Sequence, residues 1–432
     1  YDLLMFMTVP VLLLIVMLTS APLHDGVRQF IYILPFIAYC AGTGFAVLTG
    51  SLGAGGKAVY ALDVSNPDSF DAAKVLWEYQ GNNATEQANL GYILGSVTIA
   101  RFPDGHFWAV FGNGYESTNG NSVLFMVRVD SPGTVKMIDV GSGPNSGLST
   151  PILVDSNGDR VVDLVYAGDL KGKLWKFDTS SASSVAWASA YGANPLFQAK
   201  DSSGNSQPIT STPEVGLPPI GATGLAVYFG TGKYFEDGDN ITTSIQSMYG
   251  IIDSDGNSGT VTGNFTGSSH RSALVQQAVI FETTINDNQV RVVSNNTVNY
   301  PTDKGWVIDL LKPPYPSGTA VGERVITGPA LFGGKLLFQT ITPSLSPCDF
   351  GGGSFFMQVD PSTGGGLPVG GFDVDGDGAF DADDMVDIGG GVMMHVSGID
   401  TGTGISGGFG APIKAGDKAY VPMGGTSGKI GA

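Results

Sequence analysis

The sequence predicts an all-β chain, and three observations carry that prediction. Apolar runs of roughly five to eight residues recur between Gly, Asn, Asp and Pro, which is the spacing of strands and turns. No stretch of ten or more residues after Val47 keeps helical spacing. A strand–turn unit echoes about every 50 residues, as the four-stranded blades of a β-propeller do, with a β-sandwich array as the competing arrangement.

Taken in order, residues 2–21 form an apolar run of nearly membrane-spanning length, broken by Pro10. A signal peptide would carry a basic start. The run reads as a transmembrane helix or as a buried pair of strands, and residues 1–46 are set apart as an apolar N-terminal segment from a propeller domain over 47–432. From Val47 the strands follow one another: KAVYALDV, a strand ending at Trp77-Glu78, TIARF and HFWAVFGN around the Pro103-Asp104-Gly105 turn, then SVLFMVRVD. LVYAGD and KLWKFD form a hairpin turning at Lys171-Gly172. The same grammar runs on through GLAVYFGTG, SMYGIIDSDG, AVIFETTI, QVRVVSN, GWVIDLL, PALFGGKLLFQTIT and SFFMQVD. KAVYALDVSNP, GKLWKFDTSS and SFFMQVDPSTG each present a strand, an Asp and a polar turn, which is the echo that favours blades.

Two loops carry metal chemistry. In the first, Asp155, Asn157, Asp159 and Asp163 offer side-chain oxygens at alternate positions, with the Val161 carbonyl between the last two. Ca²⁺ is a hard cation that takes about six to eight oxygens, and alternate positions of a curled loop point at one centre. The twelfth position is Tyr166, so this is a calcium loop inside a sheet and not an EF-hand. Carboxylates crowded this way repel unless a cation neutralises them; the alternative is an Asx-rich turn without metal. In the second loop Asp373, Asp375, Asp377 and Asp381 fall at positions 1, 3, 5 and 9, with Gly378 at position 6, the Ala379 carbonyl at 7 and Asp384 at 12. DSDGN at 253–257 lacks later ligands and reads as a turn.

Composition excludes several classes. The net charge of −18 and the shortage of Lys and Arg, 21 in 432 residues, argue against nucleic acid or an anionic lipid surface as a partner and leave membrane contact through the apolar run open. Gly at 64 residues is about twice the usual share of roughly 7 %, which suits many turns. Charged residues at 14 % give way to Ser, Thr, Asn and Gly on the surface, a composition of exported proteins. Cys40 and Cys348 are too few for a disulfide framework or zinc site; they pair with each other or sit as small buried hydrophobes. His24, His106, His270 and His395 lie in no HExxH, and Ser406 in GISGG lacks the strand-to-helix setting of a nucleophile elbow. Glu236-Asp237 sits in a turn, and GAGG at 53–56 has no Walker lysine after it.

LGAGGKAVYALDVSNP, LGYILGSVTIARF, VFGNGYES, VDSNGDRVVDLVYAGDLKGKLWKFD, VYFGTGKYF, KGWVIDL, GERVITGPA and TPSLSPCDFGGGSFFMQVD occur in this order between Leu52 and about Gly404. This series resembles the C-terminal β-propeller domain of the PilY-type pilus-biogenesis and tip proteins. The resemblance implies a modified propeller of about seven four-stranded blades and a calcium site at Asp155, Asn157, Asp159, Val161 and Asp163. It further implies a non-enzymatic role in type IV pilus assembly, in extension against retraction, and in adhesion, on the outer surface of a bacterium, with pilins or minor pilins at the tip and host or abiotic surfaces as partners. Residues 1–46 do not follow the pattern, and neither a DxSxS motif nor Arg-Gly-Asp occurs. The enzymatic alternative is a calcium-dependent quinoprotein dehydrogenase, a propeller with similar strands but a vicinal cysteine pair that Cys40 and Cys348 cannot form.

Overall fold

The computed structural model describes residues 36–40, 45–66, 68, 70–255, 265, 270–285, 288–315, 317–344, 352–374, 382–402, 413–415 and 418–420. The predicted strands appear as antiparallel meanders. The first sheet runs β1 (Phe36–Cys40), β2 (Phe45–Ser51), β3 (Val59–Asp63) and β4 (Val75–Tyr79); the second runs β5 (Thr98–Arg101), β6 (Phe107–Gly112), β7 (Val123–Arg128) and β8 (Val135–Asp139). The third contains β9 (Ile152–Val154), β10 (Leu164–Gly168), β11 (Lys173–Asp178) and β12 (Ala188–Ser189), with β13 (Phe197–Gln198) also paired to β11. Thus β1 and the start of β2 draw residues 36–40 and 45–46 into the first sheet, whereas the apolar run 2–21 lies outside the described residues. Among the described residues no helix is long and apolar enough to cross a membrane.

The fourth unit is β14 (Glu214–Gly216), β15 (Leu225–Gly230), β16 (Ser247–Asp253) and β19 (Gly305–Asp309). The fifth is β20 (Ala330–Phe332), β21 (Lys335–Gln339), β22 (Phe355–Val359) and β25 (Gly398–Asp400). A hairpin of β17 (Val275–Ile285) and β18 (Asn288–Val293) joins them into one ten-stranded sheet, β17 running parallel to β19 and β18 antiparallel to β25. Five four-stranded units therefore stand among the described residues, against the expected seven or so blades in the whole chain.

Strand alternation explains how the units stack. Successive residues of a strand face opposite sides, and here both sides are covered. On β15, Ala226 and Tyr228 join the core shared with the fifth unit, through Leu336, Phe338 and Met357. Val227 and Phe229 join the core shared with the third, through Leu164, Tyr166 and Leu174. On β11, Trp175 and Phe177 turn instead toward Trp108, Val110 and Leu124 of the second unit. The second, third and fourth units are thus each sandwiched between their chain neighbours, which is propeller stacking. The five tryptophans sit in these seams, and each indole N–H is bonded: Trp77 to Val129 O, Trp108 to Asp104, Trp175 to Asp169, Trp187 to Ser181 O and Trp306 to Pro361 O.

Glycine at the ends of β6, β10 and β15 permits the close approach of the segment that leads into the next sheet. A Cβ at Gly112 would lie 2.1 Å from Ser149 O, at Gly168 2.2 Å from Ile209 Cγ2, and at Gly230 2.3 Å from Val325 Cβ. A strand ending in Gly thus marks the same crossing three times.

Candidate metal centre

The first predicted loop is the connection between β9 and β10, closed at its base by Leu164 opposite Val154 and by the Asp163 amide donating to Val154 O at 3.0 Å. It is anchored on two sides. Val162 is buried in the seam between the second and third sheets, and its amide donates to Arg101 O at 3.0 Å. Behind it, the Thr179 amide donates to Asp163 O at 2.8 Å, tying the loop to the end of β11.

Within the loop, side-chain oxygens collect backbone amides. Asp155 Oδ1 accepts from Gly158 N at 2.7 Å and Asp159 N at 3.2 Å, while Oδ2 accepts from Arg160 N at 2.6 Å. Asn157 Oδ1 accepts from Asp159 N at 2.9 Å, and Asp159 Oδ1 from Val161 N at 2.8 Å. Asp163 Oδ2 takes both the amide and the hydroxyl of Ser156, at 3.0 and 2.7 Å. These are successive Asx turns, and they curl the chain with Gly158 at φ +83° and Arg160 at φ +68°. Partial desolvation pushes the Asp155 carboxyl up, but the amides of Arg160, Gly158, Asp159 and Asn157 together outweigh it and leave it below the usual range.

All five predicted donors therefore lie on one curled loop, with Asp163 buried at its root and Asn157 and Asp159 exposed at its tip. Their chemistry, three carboxylates with an amide and a carbonyl oxygen, suits Ca²⁺. The loop amides are already turned toward these carboxylates, and no group of three His, Cys, Asp or Glu converges on one point among the described residues.

Of the second loop, Asp375, Asp377, Ala379 and Asp381 lie outside the described residues. Its two ends are described: Asp373 and the buried Asp384, whose Oδ1 accepts from Val374 N at 2.6 Å and so joins the start of the loop to its twelfth position. Cys348 also lies outside the described residues, while Cys40 stands on β1 opposite Phe45.

One buried cluster escaped the sequence reading. Tyr166 and Lys176 are opposite one another on β10 and β11 and face the fourth unit. There Lys176 Nζ meets Asp253 Oδ2 at 2.8 Å with both side chains about 1 % exposed, and the Tyr166 hydroxyl donates to the same oxygen at 2.6 Å. The Tyr191 hydroxyl donates to Asp253 Oδ1 at 3.4 Å and Asp255 Oδ2 at 3.3 Å. Burial first, and then the Asp253 charge, push both tyrosine pKa values well up, which keeps them as donors. Of DSDGN, Asp253 ends β16 and Ser254-Asp255 turn, while Gly256 and Asn257 lie outside the described residues; Asp253 is the anion of a buried junction. Among the described histidines His270 serves structure: its Nδ1 accepts from Gln198 N at 2.8 Å and its ring packs on Phe197.

A sequence model described as the PilY1 beta-propeller domain matches residues 36–286. A Xylella fastidiosa protein named type IV pilus biogenesis factor PilY1 homolog is 35 % identical over 345 residues, covering 76 % of this chain and 22 % of its own. The type IV pilus biogenesis factor PilY1 of Pseudomonas aeruginosa is 34 % identical over 404 residues, covering 84 % of this chain and 33 % of its own. The chain therefore spans about a fifth to a third of the length of these relatives. The crystal structure of the Pseudomonas aeruginosa PilY1 C-terminal domain superposes with a TM-score of 0.77 at 31 % identity, over 94 % of this chain and 84 % of that one.

Proposed function

The chain belongs to the PilY1 β-propeller domain family, and on that premise we propose that it serves type IV pilus biogenesis as a calcium-binding, non-enzymatic module outside the cell. The observation that carries the pilus role is the agreement with the solved PilY1 C-terminal domain along 94 % of the chain. The relatives are named for pilus biogenesis and not for a reaction. Its partners in this reading are pilins or minor pilins at the pilus tip, and adhesion to host or abiotic surfaces follows from that position. Retention of the host's minor pilins on the immobilised chain tests the role; a protein that retains none of them, with or without calcium, overturns it.

Calcium is the proposed cofactor, held by Asp155, Asn157, Asp159, the Val161 carbonyl and Asp163. A second ion falls to Asp373, Asp375, Asp377, Ala379, Asp381 and Asp384. The ion would supply the positive charge that three carboxylates on one nine-residue loop call for. Because the loop root is bonded to Arg101 on β5 and to Thr179 beyond β11, binding would stiffen the seam between the second and third sheets. This is how occupancy could bias pilus extension against retraction.

Calcium at a hundredfold excess over its Kd should stabilise the wild-type chain by about 2.7 kcal/mol for each occupied site. A thermal melt with and without EGTA reads this, with proteolysis of the 155–163 loop as a local check. Asp159→Ala should lose the part of the shift that belongs to the first loop. An unchanged cleavage rate at that loop between calcium and EGTA would sink the first site.

A further inference from the structure

We propose that Asn157 is a spontaneous deamidation site, the fastest of the Asn-Gly pairs in this chain, and that its conversion rewrites the loop between β9 and β10. Asn precedes Gly at three places, Asn113-Gly114, Asn119-Gly120 and Asn157-Gly158. Such pairs are prone to ring closure because a glycine nitrogen is unhindered by a side chain. The three sit in very different surroundings.

Asn113 is fully buried, and its side-chain amide is bonded on both ends: Nδ2 donates to Asn89 O at 2.8 Å and Asn121 O at 2.9 Å, and Oδ1 accepts from Val123 N at 3.0 Å and Leu148 N at 2.9 Å. Gly114 N is held by Leu148 O at 3.1 Å. Asn119 is exposed, but its Nδ2 donates to Asn89 Oδ1 at 3.0 Å. The nitrogen that would attack it, Gly120 N, is buried and donates to both Ser117 O at 3.0 Å and Ser117 Oγ at 3.1 Å. Reaction at either position requires breaking several internal hydrogen bonds at once.

Asn157 stands exposed at the loop tip, and its Nδ2 makes no hydrogen bond among the described residues. Its Oδ1 accepts the Asp159 amide at 2.9 Å, which polarises the carbonyl toward attack. Gly158 is exposed at φ +83° with open space around the position of a Cβ, and its nitrogen gives up one hydrogen bond, to Asp155 Oδ1 at 2.7 Å, in order to react. Only local movement of a surface loop separates this pair from the attacking geometry.

The chemistry needs only water and hydroxide. Hydroxide removes the Gly158 amide proton, the nitrogen attacks Asn157 Cγ, the Cγ–Nδ2 bond breaks, and Nδ2 leaves as ammonia with a proton from solvent. Water then opens the succinimide at either carbonyl. One product is aspartate, a fourth carboxylate on the loop; the other is isoaspartate, which adds a methylene to the backbone at the third position and moves its neighbours out of alternate spacing. The dependence of the rate on calcium rests on the metal reading above: an ion held by Asp155 and Asn157 would fix both reacting groups.

The test incubates the whole chain in mildly alkaline buffer with calcium or EGTA and maps peptides by mass. In EGTA the Asn157 peptide should gain the amide-to-acid mass at least about tenfold faster than the Asn113 and Asn119 peptides. Part of the product should accept methyl groups from an isoaspartyl methyltransferase, and Asn157→Gln should suppress both signals. Equal rates at the three sites, or a mass gain that persists in Asn157→Gln, overturns the proposal. Fast conversion that calcium does not slow upholds deamidation and counts against calcium at this loop alone.

Discussion

Asp253→Ala should cost about 3–5 kcal/mol of stability, because it removes the carboxylate that the fully buried Lys176 ammonium meets at 2.8 Å. The Tyr166 hydroxyl loses its acceptor in the same step, while the Tyr191 hydroxyl keeps Asp255. The urea midpoint reads the loss, and an unchanged slope shows that the folded state is otherwise kept. A paired change separates the cost of removing one partner from the value of the ion pair. Lys176→Met removes the charge and keeps an unbranched apolar side chain, so Lys176→Met with Asp253→Ala should recover a large part of the loss. A cost below about 1 kcal/mol for Asp253→Ala would mean that water reaches the junction and that the third and fourth units are not joined through it.

That junction shows where the sequence is legible and where it is not. The strand around Lys176 reads correctly from its alternation and its turn, and so do the bounds of most strands from β3 to β22. Period and punctuation are local, and they are set by the same residues that form the element. The curl of the β9–β10 loop is legible for the same reason: its Asp and Asn residues are spaced along nine residues and bend the loop through their own side chains. Pairing Lys176 with Asp253 is a different matter. The two are far apart in the chain, and the face that Lys176 takes on β11 is decided by which sheet stacks against it. A lysine between Trp175 and Phe177 looks like the polar side of a half-exposed strand, whereas both sides are covered. The β17–β18 hairpin is a similar case. Its strands are visible in AVIFETTI and QVRVVSN, but nothing local says that they bridge two units, one of them by a parallel pairing with β19.

Asp169→Ala should destabilise the chain by about 2–4 kcal/mol, several times the effect of the analogous change at Asp104. Both aspartates lie in hairpin turns and both receive the indole N–H of the tryptophan on the following strand. Asp104 holds Trp108 Nε1 at 3.1 and 3.2 Å, and Asp169 holds Trp175 Nε1 at 2.8 Å. Their surroundings separate them. Asp169 is fully buried, and beyond Trp175 it accepts from Ser142 Oγ at 2.6 Å, Ser122 Oγ at 3.3 Å, Lys171 N at 2.8 Å and Lys173 N at 2.9 Å. Removing it leaves an indole N–H with no water to replace its acceptor, since Trp175 is fully buried as well. Asp104 is partly exposed, so solvent can take its place beside Trp108, and Asp104→Ala should cost no more than about 1 kcal/mol. Trp175→Phe measures how much of the difference comes from that one bond. If the unsatisfied indole dominates, this change should cost much less in the Asp169→Ala background than in wild type, and strict additivity would assign the loss to the two serines and the turn amides instead.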